Sequence, residues 1–274
     1  MSDRVTITIT DGVADVRFNR PEKMNALDLA QFAAIAEAGE QLKADPSVRA
    51  VVISGEGRAF CAGLDITMMT SLGGGGGAGT ERAERPGGDI TARSADQITN
   101  LGQQVAYAWH EMPAPVIAAV HGVAFGGGIQ IALGADIRFV APDARLSIME
   151  IKWGILPDMT GIPMLSRLIP VDVAKELAYT GRIISGEEAA ALGLATHVSA
   201  QPLDDALALA REIAGKNPAA VRAIKQLVNE APTRSLADSF VEESRLIGTL
   251  IGTPNQIEAV MAELEKRPAT FVDE

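Results

Sequence analysis

The sequence has little of the chemistry that builds redox or metal sites. Its 274 residues include one cysteine, Cys61, and three histidines. A single cysteine excludes a disulfide within the chain and a zinc site built from several thiolates. His110, His121 and His197 are too scattered for the short spacings of metal-binding motifs. The sequence therefore predicts no metal site, and it fits a reducing compartment.

Long apolar runs and an excess of basic residues are also missing. No uninterrupted apolar stretch reaches the roughly 18 residues that a membrane helix needs. The first residues, MSDRVTITIT, lack the basic-then-apolar plan of a signal peptide. The net charge is -11, with 24 Lys and Arg against 35 Asp and Glu, so the surface repels phosphate backbones. We therefore expect a cytoplasmic protein with neither a membrane nor nucleic acid as partner.

The residues that are present suit one α/β domain, with or without an appendage. Hydrophobic residues make up 47% of the chain, enough for a large core. Residues 5–19 alternate polar and apolar around an Asp-Gly pair, which predicts a β-hairpin. A helix capped by Asp28 is predicted to reach about Ala44, and residues 50–53 to form a buried strand. This alternation of strands and helices predicts an α/β fold.

The stretch VIAAVHGVAFGGGIQIALGADI, residues 116–137, is expected to organise the rest of the chain. It reads as a buried strand, a turn, the three glycines Gly126, Gly127 and Gly128, and an apolar helix. This layout leaves backbone N–H groups pointing into a cleft at a helix N-terminus, where glycine lets a ligand touch the main chain. Such donors hold a phosphate or a developing oxyanion. The alternative is a simple tight turn between strand and helix.

Glycines also mark a second region, upstream of this stretch. Residues 54–66, SGEGRAFCAGLDI, form a turn after a strand, and residues 67–93 follow with five consecutive glycines. No Gly-Lys-Ser/Thr sequence follows, which excludes a nucleotide phosphate loop. We interpret residues 67–93 as a mobile surface insertion, with a lid over a site as the alternative.

The second half of the chain is predicted to become more helical. Two short strands precede a loop that carries Glu150 and Asp158. Three helices are predicted downstream, over 161–168, 172–179 and 185–192. Beyond about residue 202 little strand signal remains. A helical region set apart from an α/β part often packs against a neighbouring subunit, so an oligomer is expected.

Five segments of the chain form a recognisable series: RPEKMNALD, GEGRAFCAGLDI, PVIAAVHGVAFGGGIQIALGADIRF, the ME-x-x-WGILPD segment and YTGRIISGEEAAALGLATHV. In this order they together resemble the crotonase (enoyl-CoA hydratase/isomerase) superfamily. The resemblance implies an α/β fold: a crotonase-like spiral of ββα units over residues 1–200, containing the 67–93 insertion. It implies a helical C-terminal trimerisation region over residues 201–274, in a homotrimer or a dimer of trimers. It also implies an acyl-CoA thioester substrate, with no cofactor besides the coenzyme A of the substrate.

The resemblance also implies roles for individual residues. Members of the superfamily stabilise a thioester enolate with two backbone N–H groups, which here would belong to Leu64 and Gly127. Substrate and CoA contacts would be made by Lys23, Met24, Ala26, Ala62, Asp65, Ile66, Phe125, Gly126 and Gly128. We further expect Trp109 to line the acyl pocket.

The carboxylates decide which reaction is expected. Hydratases of the superfamily use two glutamates, and the first position here is Gln130, which can hydrogen-bond a water but cannot take its proton. The second is Glu150, whose apolar neighbours LSIM predict partial burial and a raised pKa. Asp158, eight residues on, resembles the second carboxylate of dienoyl-CoA isomerases, although those usually carry an aspartate where this chain has Gln130. The alternative role for Asp158 is a helix cap.

The main prediction is therefore double-bond isomerisation of an enoyl- or dienoyl-CoA. Glu150 would be the base, Asp158 the partner acid or base, and Gln130 a further member of the catalytic set. One alternative is a hydratase that adds water to a trans-2-enoyl-CoA. Gln130 would then orient the water, and its replacement by glutamate should raise hydration. Another alternative is a scaffold that binds CoA thioesters with little or no turnover, which the missing first glutamate suggests.

Overall fold

The computed structural model describes residues 3–68, 90–93, 95 and 97–273. Its β-strands are β1 (Val5–Thr10), β2 (Val13–Phe18), β3 (Ala50–Gly55), β4 (Val116–Val120), β5 (Val123–Phe125), β6 (Ile137–Val140), β7 (Arg145–Ser147), β8 (Ile184–Ser185) and β9 (His197–Val198). Its longer α-helices are α1 (Leu29–Lys43), α2 (Leu101–Glu111), α3 (Gly127–Leu133), α4 (Gly161–Leu168), α5 (Val171–Thr180), α6 (Gly186–Leu192), α7 (Pro202–Ala214), α8 (Pro218–Glu230), α9 (Leu236–Leu250) and α10 (Pro254–Glu265). Short 3-10 turns cover Pro21–Lys23, Glu150–Trp153 and Ala231–Thr233.

The first three elements confirm the predicted hairpin and helix. Strands β1 and β2 are antiparallel, with Thr10 opposite Val13. The two residues between them, Asp11 and Gly12, have φ of 50° and 79°, which suits a tight hairpin turn. The helix α1 begins after Asp28, whose carboxylate accepts a hydrogen bond from the Gln31 N–H. The local signals were therefore sufficient in this part of the chain.

Two sheets are built by repeated steps along the chain. In the described residues the larger sheet has the order β1-β2-β3-β4-β6-β9 and the smaller the order β5-β7-β8. β4 pairs in parallel with β6 in the larger sheet, and β5 pairs in parallel with β7 in the smaller. The consecutive strands β4 and β5 thus lie in different sheets, as do β6 and β7, before the chain enters a helix. This repetition is the spiral of ββα units that the sequence predicts.

The strand β5 was not predicted. Its three residues follow the turn at His121-Gly122 and immediately precede the glycines. Its partners are β7 and Cys61, which forms an isolated parallel bridge with Ala124. Because a strand this short depends on remote partners, the local sequence carries little signal for it.

The helix α2 packs its apolar stripe into the core between α1 and α3. Val105 and Trp109, four residues apart on one face, are both fully buried. Gly39 of α1 lets the two helices approach closely, since an added Cβ would lie 2.6 Å from the Ala108 Cβ. Trp109 therefore belongs to the core. The expectation that it lines the acyl pocket is wrong.

The helix α7 packs against the larger sheet. Its alanines Ala206, Ala210 and Ala214 recur every four residues and contact a cluster that includes Val52 and Ile117. Small side chains at this spacing let a helix lie close to a sheet. The first helix after residue 201 thus shares its apolar face with the α/β part, while the division of the chain at residue 200 stays a prediction.

The later helices leave apolar side chains in contact with solvent. Leu236, Phe240 and Val241 of α9 are 75%, 60% and 69% exposed, and Leu264 of α10 is 73% exposed. None of the described helices combines the length and the apolar character required to cross a membrane.

Candidate active site

A cavity of about 1040 Å³ collects the predicted site residues. Its walls include Lys23, Met24, Ala26, Ala62, Leu64, Asp65, Ile66, Phe125, Gly126, Gly127, Gln130, Glu150 and Asp158. Gly128 is not among its wall residues. A Cβ on Gly128 would lie 2.2 Å from the Cys61 carbonyl oxygen, so this glycine permits close packing behind the wall. The predicted lid falls largely on residues 69–89, outside the described residues, while Thr67, Ile90 and Thr91 line the cavity.

The two predicted oxyanion donors are brought together by pairing between remote segments. The Cys61 N–H donates to the Val123 carbonyl at 3.1 Å, and the Phe125 N–H donates to the Cys61 carbonyl at 3.0 Å. Gly63 has φ of +85°, and a Cβ there would lie 2.5 Å from the Phe125 carbonyl oxygen and 3.6 Å from the Gly127 nitrogen. Glycine is therefore required at this turn.

Leu64 and Gly127 consequently lie on neighbouring segments, and both line the cavity. Neither N–H donates a hydrogen bond to an acceptor within the described part of the chain. Gly127 is the first residue of α3, where backbone N–H groups have no partner in the helix and the helix dipole favours negative charge. The pair is suited to hold an oxygen on which negative charge develops.

Asp65 anchors the turn that carries Leu64. The backbone of this turn is held by Leu27, whose N–H donates to the Gly63 carbonyl at 2.8 Å and whose carbonyl accepts from the Asp65 N–H at 2.9 Å. The Asp65 carboxylate accepts from the Thr67 hydroxyl at 2.6 Å and pairs with Arg20 at 2.7 Å. The Thr67 hydroxyl first, and Arg20 in addition, lower the pKa of Asp65 to about 2. Asp65 thus fixes the turn as well as lining the cavity.

Cys61 supports this turn from behind. Its thiol is completely buried and donates to the Asn25 carbonyl at 3.1 Å. Burial raises the pKa of the Cys61 thiol to about 12. The side chain therefore stays a neutral thiol, consistent with a packing role rather than a nucleophilic one.

Glu150 stands at the start of a 3-10 turn with its side chain buried, only 6% exposed. Its Oε1 accepts from the Gln130 Nε2 at 2.6 Å. Its Oε2 is buried and has no hydrogen-bond partner in the described residues. Burial raises the pKa of Glu150, the Gln130 hydrogen bond opposes that rise, and the negative charge of Asp158 adds to it. A desolvated carboxylate with a raised pKa is a suitable general base.

Asp158 lies on the same cavity wall, and it caps no helix. The residue before α4 is Thr160, with φ of +65° and no side-chain cap, so the capping alternative for Asp158 is wrong. The residue is exposed overall, but the cavity walls remove part of the water around its carboxyl. This desolvation raises the pKa of Asp158. A second carboxyl with a raised pKa therefore lines the cavity beside Glu150.

Several wall residues could not be found from the sequence. The apolar residues Met149, Trp153, Ile155, Leu156 and Met159 surround the two carboxylates. Trp153 and Leu156 are 55% and 66% exposed, so they leave apolar surface uncovered at this wall. The sequence signal for these wall residues is the group of apolar residues between Glu150 and Asp158. A search for helix or strand periodicity does not detect such a group. No group of three metal-binding side chains occurs in the described residues.

The comparisons with known proteins agree with this geometry. Residues 8–274 match the model of the family described as "Enoyl-CoA hydratase/isomerase". The chain is 32% identical to a crotonyl-CoA hydratase of Syntrophomonas wolfei, covering 98% of each. It is 32% identical to the mitochondrial methylglutaconyl-CoA hydratase of Mus musculus, covering 96% of this chain and 80% of that protein.

A solved structure extends the likeness to the fold. The enoyl-CoA hydratase of Bacillus anthracis superposes with a TM-score of 0.86 at 29% identity, covering 99% of this chain and all of that one. The site therefore lies in the fold that the sequence motifs predict. The chain belongs to the enoyl-CoA hydratase/isomerase family and is an acyl-CoA enzyme with the crotonase fold.

Proposed function

We propose that the protein catalyses the reversible addition of water to a trans-2-enoyl-CoA. The thioester oxygen binds between the N–H groups of Leu64 and Gly127. Glu150 accepts a proton from water while the water oxygen bonds to C3, and the C2–C3 double bond shifts its electrons toward the thioester oxygen. The enolate then takes the proton from Glu150 at C2. The product is a 3-hydroxyacyl-CoA, and Glu150 returns to its ionised form.

One observation carries this proposal. Glu150 is buried in the wall that also holds the two N–H donors, and its Oε1 lies 3.3 Å from the position of a Cβ added to Gly126. A base beside the glycine turn that carries one of these donors can act on adjacent atoms of one substrate. The relatives reported above carry hydratase names, which also favours hydration over isomerisation.

Isomerisation is a second candidate because of Asp158. Its carboxyl lines the same cavity, and its charge contributes to the raised pKa of Glu150. In this reaction one carboxylate takes a proton from C2 of a 3-enoyl-CoA and a carboxylic acid returns a proton at C4, so the double bond moves without addition of water. Isomerisation therefore requires both carboxylates, whereas hydration by Glu150 requires only one.

The variant Asp158→Asn separates the two reactions. Under hydration we expect kcat to change by less than about fivefold, whereas a paired acid/base role predicts a loss of about 10²-fold or more. The acid limb of the pH–rate profile, where the rate falls as the pH drops, should also move to lower pH. The reason is that the Asp158 charge, which helps to raise the pKa of Glu150, is removed. Chromatography of products from 2-enoyl-, 3-enoyl- and 3,5-dienoyl-CoA measures both reactions.

The exposed Asp172→Asn serves as the matched control, since this residue lies at the start of α5 and outside the cavity. A wild-type enzyme that forms no 3-hydroxyacyl-CoA from any 2-enoyl-CoA would contradict the proposal. Tight acyl-CoA binding by calorimetry without turnover would instead favour the scaffold alternative.

The apolar faces of α9 and α10 support a homotrimer or a dimer of trimers as the working assembly. Four of their large side chains, Leu236, Phe240, Val241 and Leu264, are at least 60% exposed, and contact with a neighbouring subunit would remove such apolar surface from water. Sedimentation velocity of the full chain is expected to give a mass of three or six chains. A single-chain mass at micromolar concentration would contradict this proposal.

A further inference from the structure

We propose that Gln130 is a positioning residue that acts through Glu150 rather than on the substrate water. This inference rests on the proposed role of Glu150 as the base. It differs from the expectation that Gln130 orients water and that a glutamate in its place raises hydration. The evidence is a network in which one amide joins three separate segments of the chain.

The orientation of the Gln130 amide is fixed by its neighbours. Its Oε1 accepts from the Met159 N–H at 2.9 Å and from the Gly161 N–H at 3.0 Å. Backbone N–H groups only donate, so the oxygen must face them and the Nε2 must face the other way. There it meets the Glu150 Oε1 at 2.6 Å.

The surrounding backbone is shaped to receive this amide. Gln130 lies in α3 and is 1% exposed. Its acceptors and donors lie 20, 29 and 31 residues away along the chain. A Cβ on Gly161 would lie 2.5 Å from the Gln130 Oε1, so glycine is needed for the contact. Thr160, between the two donors, has φ of +65°. The turn after Asp158 is thus bent around the Gln130 oxygen.

This network has a chemical consequence for Glu150. Gln130 holds the Glu150 Oε1 in place through one hydrogen bond, beside the turn at Gly126. The donated hydrogen bond favours the ionised form of Glu150 and lowers its pKa against the effect of burial. A carboxylate in place of the amide could accept from Met159 and Gly161, but it could not donate to Glu150. The amide therefore adds to a backbone hydrogen bond in opposing the rise in pKa that burial causes.

The variant Gln130→Met tests the positioning role. We expect kcat to fall by about 10²-fold with KM changed by less than about threefold, because geometry and ionisation of the base are affected rather than thioester binding. The acid limb of kcat/KM is expected to move to higher pH. Gln31→Met is the matched control, since Gln31 is fully buried, donates to the Arg4 carbonyl at 3.2 Å and does not line the cavity. It should lose stability without moving the acid limb.

The variant Gln130→Glu gives the opposite test. It keeps the acceptor for the two backbone donors and places a second carboxyl against Glu150, so the acid limb should move to higher pH and kcat at neutral pH should fall. A rise in neutral-pH hydration would overturn the proposal and assign this position a direct role on water. An unmoved acid limb in Gln130→Met would overturn it as well.

A readout independent of turnover separates this inference from the proposed function. The ionisation of Glu150 can be followed by its infrared carboxyl bands, as the difference between each Gln130 variant and the same variant carrying Glu150→Gln. A shift of the Glu150 titration to higher pH in Gln130→Met is expected even if the enzyme catalyses isomerisation. No shift would contradict the inference even if hydration is observed.

Discussion

Replacing Glu150 by glutamine is expected to lower kcat for hydration by about 10²–10⁴-fold, because the general base is lost while the shape of the side chain is kept. The thioester N–H donors and the apolar walls remain, so KM should change little. Initial rates with a trans-2-enoyl-CoA, measured in the absorbance of the conjugated thioester, check this. The control is Glu242→Gln, since Glu242 is also buried but pairs with Arg245 outside the cavity.

The pH dependence of the wild type follows from the same residue. Glu150 must be ionised to accept a proton, and its pKa is raised above 4.5, mainly by burial. The rate kcat/KM is therefore expected to fall as the pH drops through that raised pKa. A fall in kcat/KM that is centred at or below pH 4.5 would contradict the assignment of Glu150 as the base. So would the same fall, at the same pH, in the residual rate of Glu150→Gln.

The stability of Glu150→Gln should move in the opposite direction to its activity. A carboxyl whose pKa is raised on folding binds its proton more tightly in the native state, so the native state loses stability as the pH rises from the unfolded pKa of about 4.3 through the folded pKa. At pH values above the folded pKa this cost is fully present in the wild type. Removing the charge is expected to raise the melting temperature at pH 7 and to leave it nearly unchanged below pH 4.

The second large effect is expected for Gly63→Ala. Its φ of +85° disfavours alanine, and the added Cβ would lie 2.5 Å from the Phe125 carbonyl oxygen. The turn must move, and with it the N–H of Leu64. Loss of one oxyanion donor costs about 2.7–4 kcal/mol, so kcat should fall by about 10²–10³-fold.

Gly193→Ala is the matched control for this strain. Gly193 has φ of +89° at the end of α6, away from the cavity. Both variants are expected to lower the free energy of unfolding by about 1–3 kcal/mol, but only Gly63→Ala should lose activity. A folded Gly63→Ala enzyme with wild-type kcat would show that Leu64 does not donate to the thioester oxygen.

Much of the fold was predictable because its signals are local. The hairpin turn at Asp11-Gly12, the cap at Asp28 and the bounds of α4 all follow from residues adjacent in the chain. The strand β5 and the burial of Trp109 depended on partners elsewhere. A three-residue strand, and the surroundings of one aromatic side chain on a helix, cannot be assigned without knowing what lies opposite.

The candidate site also has features that local sequence predicted and features that it did not. The motifs around Leu64, Gly127 and Glu150 indicate a thioester site, and the structure places these residues in one cavity. The anchoring of Asp65 was not predictable, because its partner Arg20 lies 45 residues away. Nor was the role of Gln130 readable, since its geometry depends on three segments that meet only after folding. The sequence shows that Gln130 stands where hydratases of the superfamily have a glutamate. It does not show which neighbouring groups form hydrogen bonds with the amide.

The most direct test of hydration by Glu150 uses water labelled with a heavy oxygen isotope. The wild-type enzyme is incubated with a trans-2-enoyl-CoA in labelled water, and the product is analysed by mass spectrometry alongside Glu150→Gln. We expect a 3-hydroxyacyl-CoA that carries the label on C3, formed far more slowly by the variant. An unlabelled product of unchanged mass with a shifted double bond, or labelled product formed equally fast by Glu150→Gln, would contradict the account.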